Sequence, residues 1–245
     1  VFVGNEGSND VSAFVVDNET GALTAAAGSP FPAGKDPKAM AIVGSSTGAN
    51  LYVANAGSDN VSAYAIDMNT GALTALPGSS VAVGTGPTSI VVGLRDPFVF
   101  VANHGGSNDI SAFTSAETVM PDGSSQINLN PVPGSPFPAG GSPLSLAVGL
   151  SVEGNQGKFL YSANPDATHP SISGFSVDPA SGALSPLSGS PFPLPVSHYI
   201  ATDQAGVYLY VTSGADIVGY RIDATTGALT PLLGFPVATG ANAYS

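Results

Sequence analysis

The stretch LYVANAGSDNVSAYAIDMNTGALTALPGSSVAV, residues 51–83, decides the fold. It contains three short runs rich in Val, Tyr and Ala, separated by two turns rich in Asn, Asp and Gly. Runs of this kind with an alternation of period two predict β-strands. Leu51 and Val53 are expected to share one face with Val61, while Tyr52 lies on the other. The sheet is therefore predicted to pack on both faces, as stacked sheets do.

The same pattern recurs along the whole chain, with further copies starting at Val1 and near Phe98, Phe159 and Tyr208. A repeat of several strands with a period of about fifty residues indicates a propeller or an array. Each copy runs into Gly-Ser-Pro-Phe-Pro or a variant of it, which predicts an outer, exposed edge, because proline is tolerated there. A short strand of small residues follows and is predicted to lie innermost. In the third copy, residues 114–132 are expected to form a longer loop.

These observations predict an all-β fold, a β-propeller of five four-stranded blades that forms one domain over residues 1–245. The C-terminal strand, residues 240–245, is predicted to join the N-terminal blade and to close the ring, which would remove the open edge. The alternative is that the five repeats are part of a seven-bladed propeller.

The composition limits the partners. The chain has 5 Lys and Arg residues against 17 Asp and Glu residues, a formal net charge of −12. Phosphate backbones and anionic lipids would repel such a chain, so nucleic acid is not an expected partner. No apolar run is long enough to span a bilayer, so membrane insertion is not expected. The first residue is Val1 rather than Met, and Lys is scarce, which we interpret as a processed protein that is secreted or lies at the cell surface.

The segments LYVANAGSDNVSAYAID and TGALTALPGS resemble the YVTN-type β-propeller repeats of the lactonase-like, or 6-phosphogluconolactonase-like, seven-bladed propellers. The resemblance covers essentially the whole chain. It implies a site at a central channel, where lactonase-type members carry a Pro-Arg-His-like motif at the start of the inner strands. The matching positions, which would form the channel rim, are Lys38, Thr88, Leu144, His198 and Asn242. None of them keeps the Arg-His pair.

Three ionisable residues near these positions, Asp36, Lys38 and His198, form the one candidate constellation for hydrolysis. The other two histidines, His104 and His169, are expected to be exposed in loops. No metal site is predicted, because the repeated turn aspartates would lie on separate blades; they are Asp17, Asp67, Asp178 and Asp223. No cofactor-binding motif occurs. The sequons at Asn18 and Asn60 leave glycosylation open.

The leading functional hypothesis is a non-catalytic exported propeller, which acts as a binding or scaffold module on a cell surface or in an extracellular assembly. Its partners would be a second copy of the chain, through the Pro-Phe-Pro edges, or a surface glycan or protein. One alternative is a lactonase-like hydrolase that acts on a sugar lactone at the central channel. The other alternative is a glycan-binding module that uses exposed Tyr and Phe side chains.

Overall fold

The computed structural model describes residues 1–44, 48–93, 98–119, 125–149, 158–166, 168–194, 198–203 and 205–240. Every regular element in these ranges is a β-strand, and all the strand pairs are antiparallel. None of the described segments forms a helix that could cross a membrane. The prediction of an all-β chain is therefore confirmed.

The strands form five antiparallel sheets that follow one another along the chain. The first sheet contains β1 (Phe2–Asn5), β2 (Asp10–Val16), β3 (Leu23–Ala25) and β4 (Phe31–Pro32). The second contains β5 (Pro37–Gly44), β6 (Ala49–Asn55), β7 (Asn60–Ile66) and β8 (Leu73–Ala82). The third contains β9 (Pro87–Val92), β10 (Phe98–Asn103), β11 (Asp109–Val119), β12 (Ser125–Pro131) and β13 (Phe137–Pro138). The fourth contains β14 (Ser145–Gly149), β15 (Lys158–Asn164), β16 (Ser171–Val177), β17 (Leu184–Pro186) and β18 (Phe192–Pro193). The fifth contains β19 (Ile200–Thr202), β20 (Tyr208–Ser213), β21 (Asp216–Ile222), β22 (Leu229–Pro231) and β23 (Val237–Ala238).

The second sheet shows the strand order of the repeat, β5-β6-β7-β8 from the inner to the outer edge. In the other sheets the outer edge is divided between two short strands, of which the second carries the Phe-Pro dipeptide in β4, β13 and β18. Proline lies at this edge because it has no N–H to donate to a further strand. The innermost strands β5, β9, β14 and β19 lie next to one another in that order. This arrangement is that of a propeller.

Ring closure is not visible in the described part of the chain. Among the described residues, the first sheet has no strand on the inner side of β1, and no strand pairing joins it to the fifth. The predicted closing strand lies outside the described residues, except for Gly240.

On the second sheet, Val61 lies on the opposite face from the one that the sequence pattern predicts. Tyr52 pairs with Ala63 and Val53 pairs with Ser62, so Val61 shares a face with Tyr52 and not with Val53. The prediction that grouped Val61 with Leu51 and Val53 is wrong. The tight turn that pairs Asn55 with Asn60 sets this register, and a shift of one residue exchanges the two faces.

Apolar side chains fill the space between consecutive sheets in four clusters, one for each pair of neighbours. In β6, Leu51 and Val53 pack towards the first sheet, whereas Tyr52 and Ala54 pack towards the third. All four side chains are buried. The prediction that the sheet packs on both faces is therefore confirmed.

In the second, fourth and fifth sheets, the second turn of the repeat contacts the sheet before it. Asp223 accepts hydrogen bonds from the backbone N–H of Thr225 at 3.0 Å and of Thr226 at 2.8 Å, and these bonds hold the pKa of its carboxyl below the usual value. The turn ends at Gly227, where φ is +70°. A Cβ atom on Gly227 would lie 2.5 Å from the Phe159 ring of the fourth sheet. Glycine is therefore needed both for the backbone conformation and for the close approach.

The same turn in the first sheet contacts no other sheet within the described part of the chain. Gly21 has φ +73°, but a Cβ atom there would meet no described atom within 4 Å. The face of the first sheet that holds this turn exposes several apolar side chains, Val1, Val3, Val16 and Leu23. The turn is therefore built for a contact that the described residues of the first sheet do not make.

The third sheet replaces this turn by a long hairpin. Residues 114–132 were expected to form a loop, but β11 extends to Val119 and pairs with β12 as far as Ser125. This prediction is wrong for residues 114–119 and 125–131, and residues 120–124 lie outside the described part.

The replacement changes the surroundings of one buried tyrosine. In the fourth sheet, the hydroxyl of Tyr161 donates a hydrogen bond of 2.7 Å to the carbonyl oxygen of Gly227 in the fifth sheet. Tyr52 occupies the same place in the second sheet, but the described residues of the third sheet include no such glycine beside it. The buried hydroxyl of Tyr52 has no hydrogen-bond partner among the described residues. Burial raises the pKa of Tyr52 to about 12, and the nearby side chain of Ser115 offsets a smaller part of the rise.

We expect Gly227→Ala to destabilise the protein more than Gly21→Ala. Both substitutions impose a left-handed conformation on alanine, which costs roughly 1–2 kcal/mol. Only Gly227→Ala also forces a methyl group into the Phe159 ring, and such overpacking adds about 1–3 kcal/mol. Urea unfolding followed by fluorescence gives both free energies of unfolding. Equal losses in the two variants would show that the contact between the sheets contributes nothing.

We expect Tyr161→Phe to lower the free energy of unfolding by about 1–3 kcal/mol, because the carbonyl of Gly227 loses a buried hydrogen bond. Tyr52→Phe removes a hydroxyl without a partner and is expected to be neutral or stabilising. Thermal and urea unfolding of the two variants provide the measurement. A similar loss in both would contradict the assignment of their hydrogen bonds.

Candidate functional site at the channel rim

The four innermost strands line a shared depression of about 410 Å³. Its wall is mainly apolar and is formed by the middle parts of β5, β9, β14 and β19, with Ile42, Val92, Leu146 and Ile200 among its residues. Apolar walls can hold the carbon frame of a small molecule but offer no reacting group. Polar chemistry must therefore come from the ends of these strands.

The predicted rim positions all lie at the same end of the inner strands. Ala39, Ser89 and Ser145 pair with equivalent alanines of the next strand, and Thr212 donates its N–H to the carbonyl of Tyr199 in the same way. The residues just before them therefore occupy one position in four sheets; they are Lys38, Thr88, Leu144 and His198. We call this end of the channel the rim. It also includes the loops that precede the inner strands and the turns that follow β1 and β10.

Lys38 is paired with two carboxylates. Its Nζ atom lies 2.5 Å from Oε1 of Glu6, in the first sheet, and 3.0 Å from Oδ1 of Asp36. The hydrogen bond to Glu6 raises the pKa of Lys38, Asp36 raises it further, and partial burial opposes these effects. Lys38 therefore carries its proton at neutral pH and is unsuited to act as a general base. The group thus consists of one cation, Lys38, between two anions, Glu6 and Asp36.

Thr88 and Leu144 link two neighbouring sheets. The hydroxyl of Thr88 donates to the carbonyl oxygen of Leu144 at 2.9 Å. The next residue, Ser89, accepts a hydrogen bond of 3.1 Å from the N–H of Leu146. These contacts hold the starts of β9 and β14 together. Thr88 therefore helps to set the spacing of two neighbouring inner strands at the rim.

His198 lies at the start of the fifth sheet, half-buried, with its N–H donated to the carbonyl of Thr212 at 3.1 Å. The third and fourth sheets separate it from Lys38 in the second. Within the described ranges, no hydrogen bond or ion pair joins His198 to Lys38 or to Asp36. The structure thus brings Asp36 and Lys38 together but not His198, and Asn242 lies outside the described residues.

A second polar pair at the rim escaped the sequence analysis. The Nδ1 atom of His104 lies 2.9 Å from the hydroxyl of Ser142, which belongs to the next sheet. His104 was expected to be an exposed loop residue, but it is half-buried, and this expectation is wrong. His169 is exposed as expected, beside Thr168.

An alignment of the repeat loops contains the signal for this pair. His104 occupies the position of Glu6, directly after the strand-ending asparagine, and Ser142 occupies the position of Asp36. The same two repeat positions therefore contribute to both polar clusters of the rim. His104 contacts Ser142 directly, whereas Glu6 and Asp36 are joined through Lys38 at the start of β5.

No group of three or more His, Asp or Glu residues in the described ranges is placed to hold a metal ion. The turn aspartates Asp17, Asp67, Asp178 and Asp223 lie in four different sheets and bind backbone N–H groups of their own turns.

Comparison with known proteins identifies the family. The sequence model "Lactonase, 7-bladed beta-propeller" matches residues 1–131, which is more than half of the chain. No curated protein matches the chain significantly.

The structure resembles several solved propellers. A provisionally assigned 6-phosphogluconolactonase from Bacteroides uniformis has a TM-score of 0.69 at 18% identity, over 98% of this chain and 68% of that one. A second provisional assignment of this kind, from Bacteroides fragilis, has a TM-score of 0.68 at 20% identity over the same shares. A periplasmic gluconolactonase from Pseudomonas aeruginosa has a TM-score of 0.62 at 18% identity, again over 98% and 68%. At these identities the likeness shows a shared fold.

The comparisons correct the leading functional hypothesis. A non-catalytic exported scaffold was expected because the chain has few charges, near-identical repeats, small uncharged side chains at the channel and no catalytic constellation such as the Arg-His pair. The family match to lactonases overturns this hypothesis and favours the hydrolase alternative instead. The absence of one motif was a weak argument, because different side chains on one fold can perform the same reaction.

Proposed function

Since the chain belongs to the lactonase family of seven-bladed β-propellers, we propose that it is a hydrolase that opens a sugar lactone at the channel rim. The family match carries this proposal. The position of the rim supports it, because polar side chains of the second to fifth sheets lie at one end of the inner strands, which line an apolar depression of about 410 Å³. A lactone ring has an apolar body and polar edges, and this combination fits such a site.

Lactone hydrolysis needs a base that activates the attacking oxygen and a positive group that stabilises the negative charge on the carbonyl oxygen. Lys38 is suited to the second role, because Glu6 and Asp36 keep it protonated and hold it in place. In the proposal, Asp36 orients Lys38. The imidazoles of the rim, His198 and His104, are the candidates for the base.

The number of blades is part of the proposal. The described residues form five sheets, and the family is seven-bladed. Five blades of seven make up about 71% of a ring, close to the 68% of the Bacteroides uniformis protein that this chain covers. This agreement supports the alternative of five YVTN-type repeats from a seven-bladed propeller over a ring closed at five blades. Export to the cell surface or the medium stays a prediction from composition.

The test is a hydrolysis assay with an aldonic δ-lactone, in which acid release is followed in a pH-stat and the spontaneous rate is subtracted. We expect Lys38→Met to lower kcat/KM roughly 10²-fold or more, because a cation at the reacting centre is lost. Asp36→Asn is expected to lower it less, since Glu6 still holds Lys38.

Asn18→Gln is the matched control, because Asn18 is exposed in a turn of the first sheet and outside the rim. Its activity is expected to equal that of the parent protein. A parent protein that does not exceed the spontaneous rate with aldonic γ- or δ-lactones, free or phosphorylated, would contradict the proposal.

A further inference from the structure

The contact between His104 and Ser142 is the one place in the described residues where an imidazole nitrogen meets a hydroxyl of another sheet. The two atoms are 2.9 Å apart. The carbonyl oxygen of Ser142 lies 3.3 Å from the same nitrogen and accepts a hydrogen bond only when Nδ1 carries a proton, whereas Nδ1 without a proton accepts from the Ser142 hydroxyl. Both residues are half-buried, so the pair is partly shielded from water but remains reachable.

The backbone on both sides of the pair is fixed. His104 donates its N–H to the carbonyl of Gly86 at 3.1 Å, and Gly105 packs directly on Gly86. Ser142 donates its N–H to Oδ2 of Asp166 at 3.2 Å. A reacting pair gains from such support, because the two groups need no reorganisation when the substrate arrives.

The pair also lies beside the channel. Ser142 comes two residues before Leu144, whose carbonyl is bound by Thr88 at the start of β9. Ser142 therefore lies in the loop that leads into the start of β14 at the rim. Among the described residues, its hydroxyl contacts the His104 imidazole and, at 3.4 Å, the His104 backbone carbonyl.

We propose that Ser142 is the nucleophile of this site and that His104 is its general base, an inference that rests on the proposed lactonase function. The Ser142 Oγ atom attacks the lactone carbonyl while its proton passes to Nδ1 of His104. The ring C–O bond of the tetrahedral intermediate breaks, and the leaving ring oxygen takes the proton from His104. Water then attacks the Ser142 ester, again with His104 as base, and releases the hydroxy acid and the free serine.

Thr168 and His169 provide a matched control within the same chain. Nδ1 of His169 lies 2.9 Å from the hydroxyl of Thr168, the same separation as in the rim pair. The two residues are adjacent in sequence, exposed, and outside the inner strands. The nitrogen–oxygen distance is thus the same in the two pairs, but only the His104–Ser142 pair is half-buried and lies at the rim.

The first experiment is labelling of the intact protein with a fluorophosphonate probe. The serine oxygen forms a bond to phosphorus, fluoride leaves, and the base takes the serine proton. Mass mapping of peptides is expected to find the label on Ser142 and none on Thr168. His104→Gln preserves a hydrogen-bonding side chain without a basic nitrogen and is expected to slow labelling roughly 10²-fold, whereas His169→Gln leaves it unchanged.

Thermal unfolding of each variant separates loss of reactivity from loss of the fold. A folded His104→Gln protein that is labelled at the parent rate would overturn the role of the base. An unlabelled Ser142 in the folded parent protein would reduce the pair to a structural contact between sheets and overturn the inference.

The lactone assay distinguishes this inference from the proposed function. Lactone hydrolysis that survives Ser142→Ala would contradict the nucleophile and leave the lactonase proposal standing. Labelling of Ser142 in a protein that hydrolyses no lactone would support the activated serine and contradict the lactone as its substrate.

Discussion

The contact between the turn glycine of one sheet and the face of the preceding sheet is the constraint on which the architecture depends. Gly227 approaches Phe159 and Gly182 approaches Phe98, each at a distance that leaves no room for a Cβ atom. Gly71 contacts Val15 and Ala26 of the first sheet more loosely. The aspartate of each turn fixes the backbone that presents this glycine, so local hydrogen bonding and packing between sheets are specified by the same few residues.

The strands and turns could be predicted from the sequence because their causes are local. Period-two alternation, the Asp-x-x-Thr-Gly turns and the Phe-Pro edges each act within a few residues. The grouping of Val61 with Val53 failed, since it depends on the register that the turn at residues 55–60 imposes. The hairpin of β11 and β12 was also missed, because its sequence lacks the turn of the other copies and offers no equally clear signal in its place.

The site could be predicted only in part. The equivalence of Lys38, Thr88, Leu144 and His198 follows from repeat alignment, and the strand registers place them at one position. Their hydrogen-bond and ion-pair partners belong to neighbouring sheets. The pattern within one repeat does not show which residues of two sheets come into contact. The Lys38–Glu6 contact spans 32 residues and the His104–Ser142 contact spans 38, so neither is visible as a motif. Both polar clusters depend on how closely two sheets approach, which the apolar clusters between them determine.

The glycine contact also gives the stack of sheets a direction. At three of the four described junctions, the later sheet presents its turn to an aromatic or aliphatic surface of the sheet before it, so the two faces of such a repeat are unlike and complementary. Tyr210, which occupies the position of Tyr161, faces away from the fourth sheet. Because these three junctions use the same pair of faces, duplication or loss of a whole repeat of this kind would preserve the remaining junctions. Copy number in such a protein can therefore change in single steps during evolution, whereas inversion of a repeat cannot be accommodated.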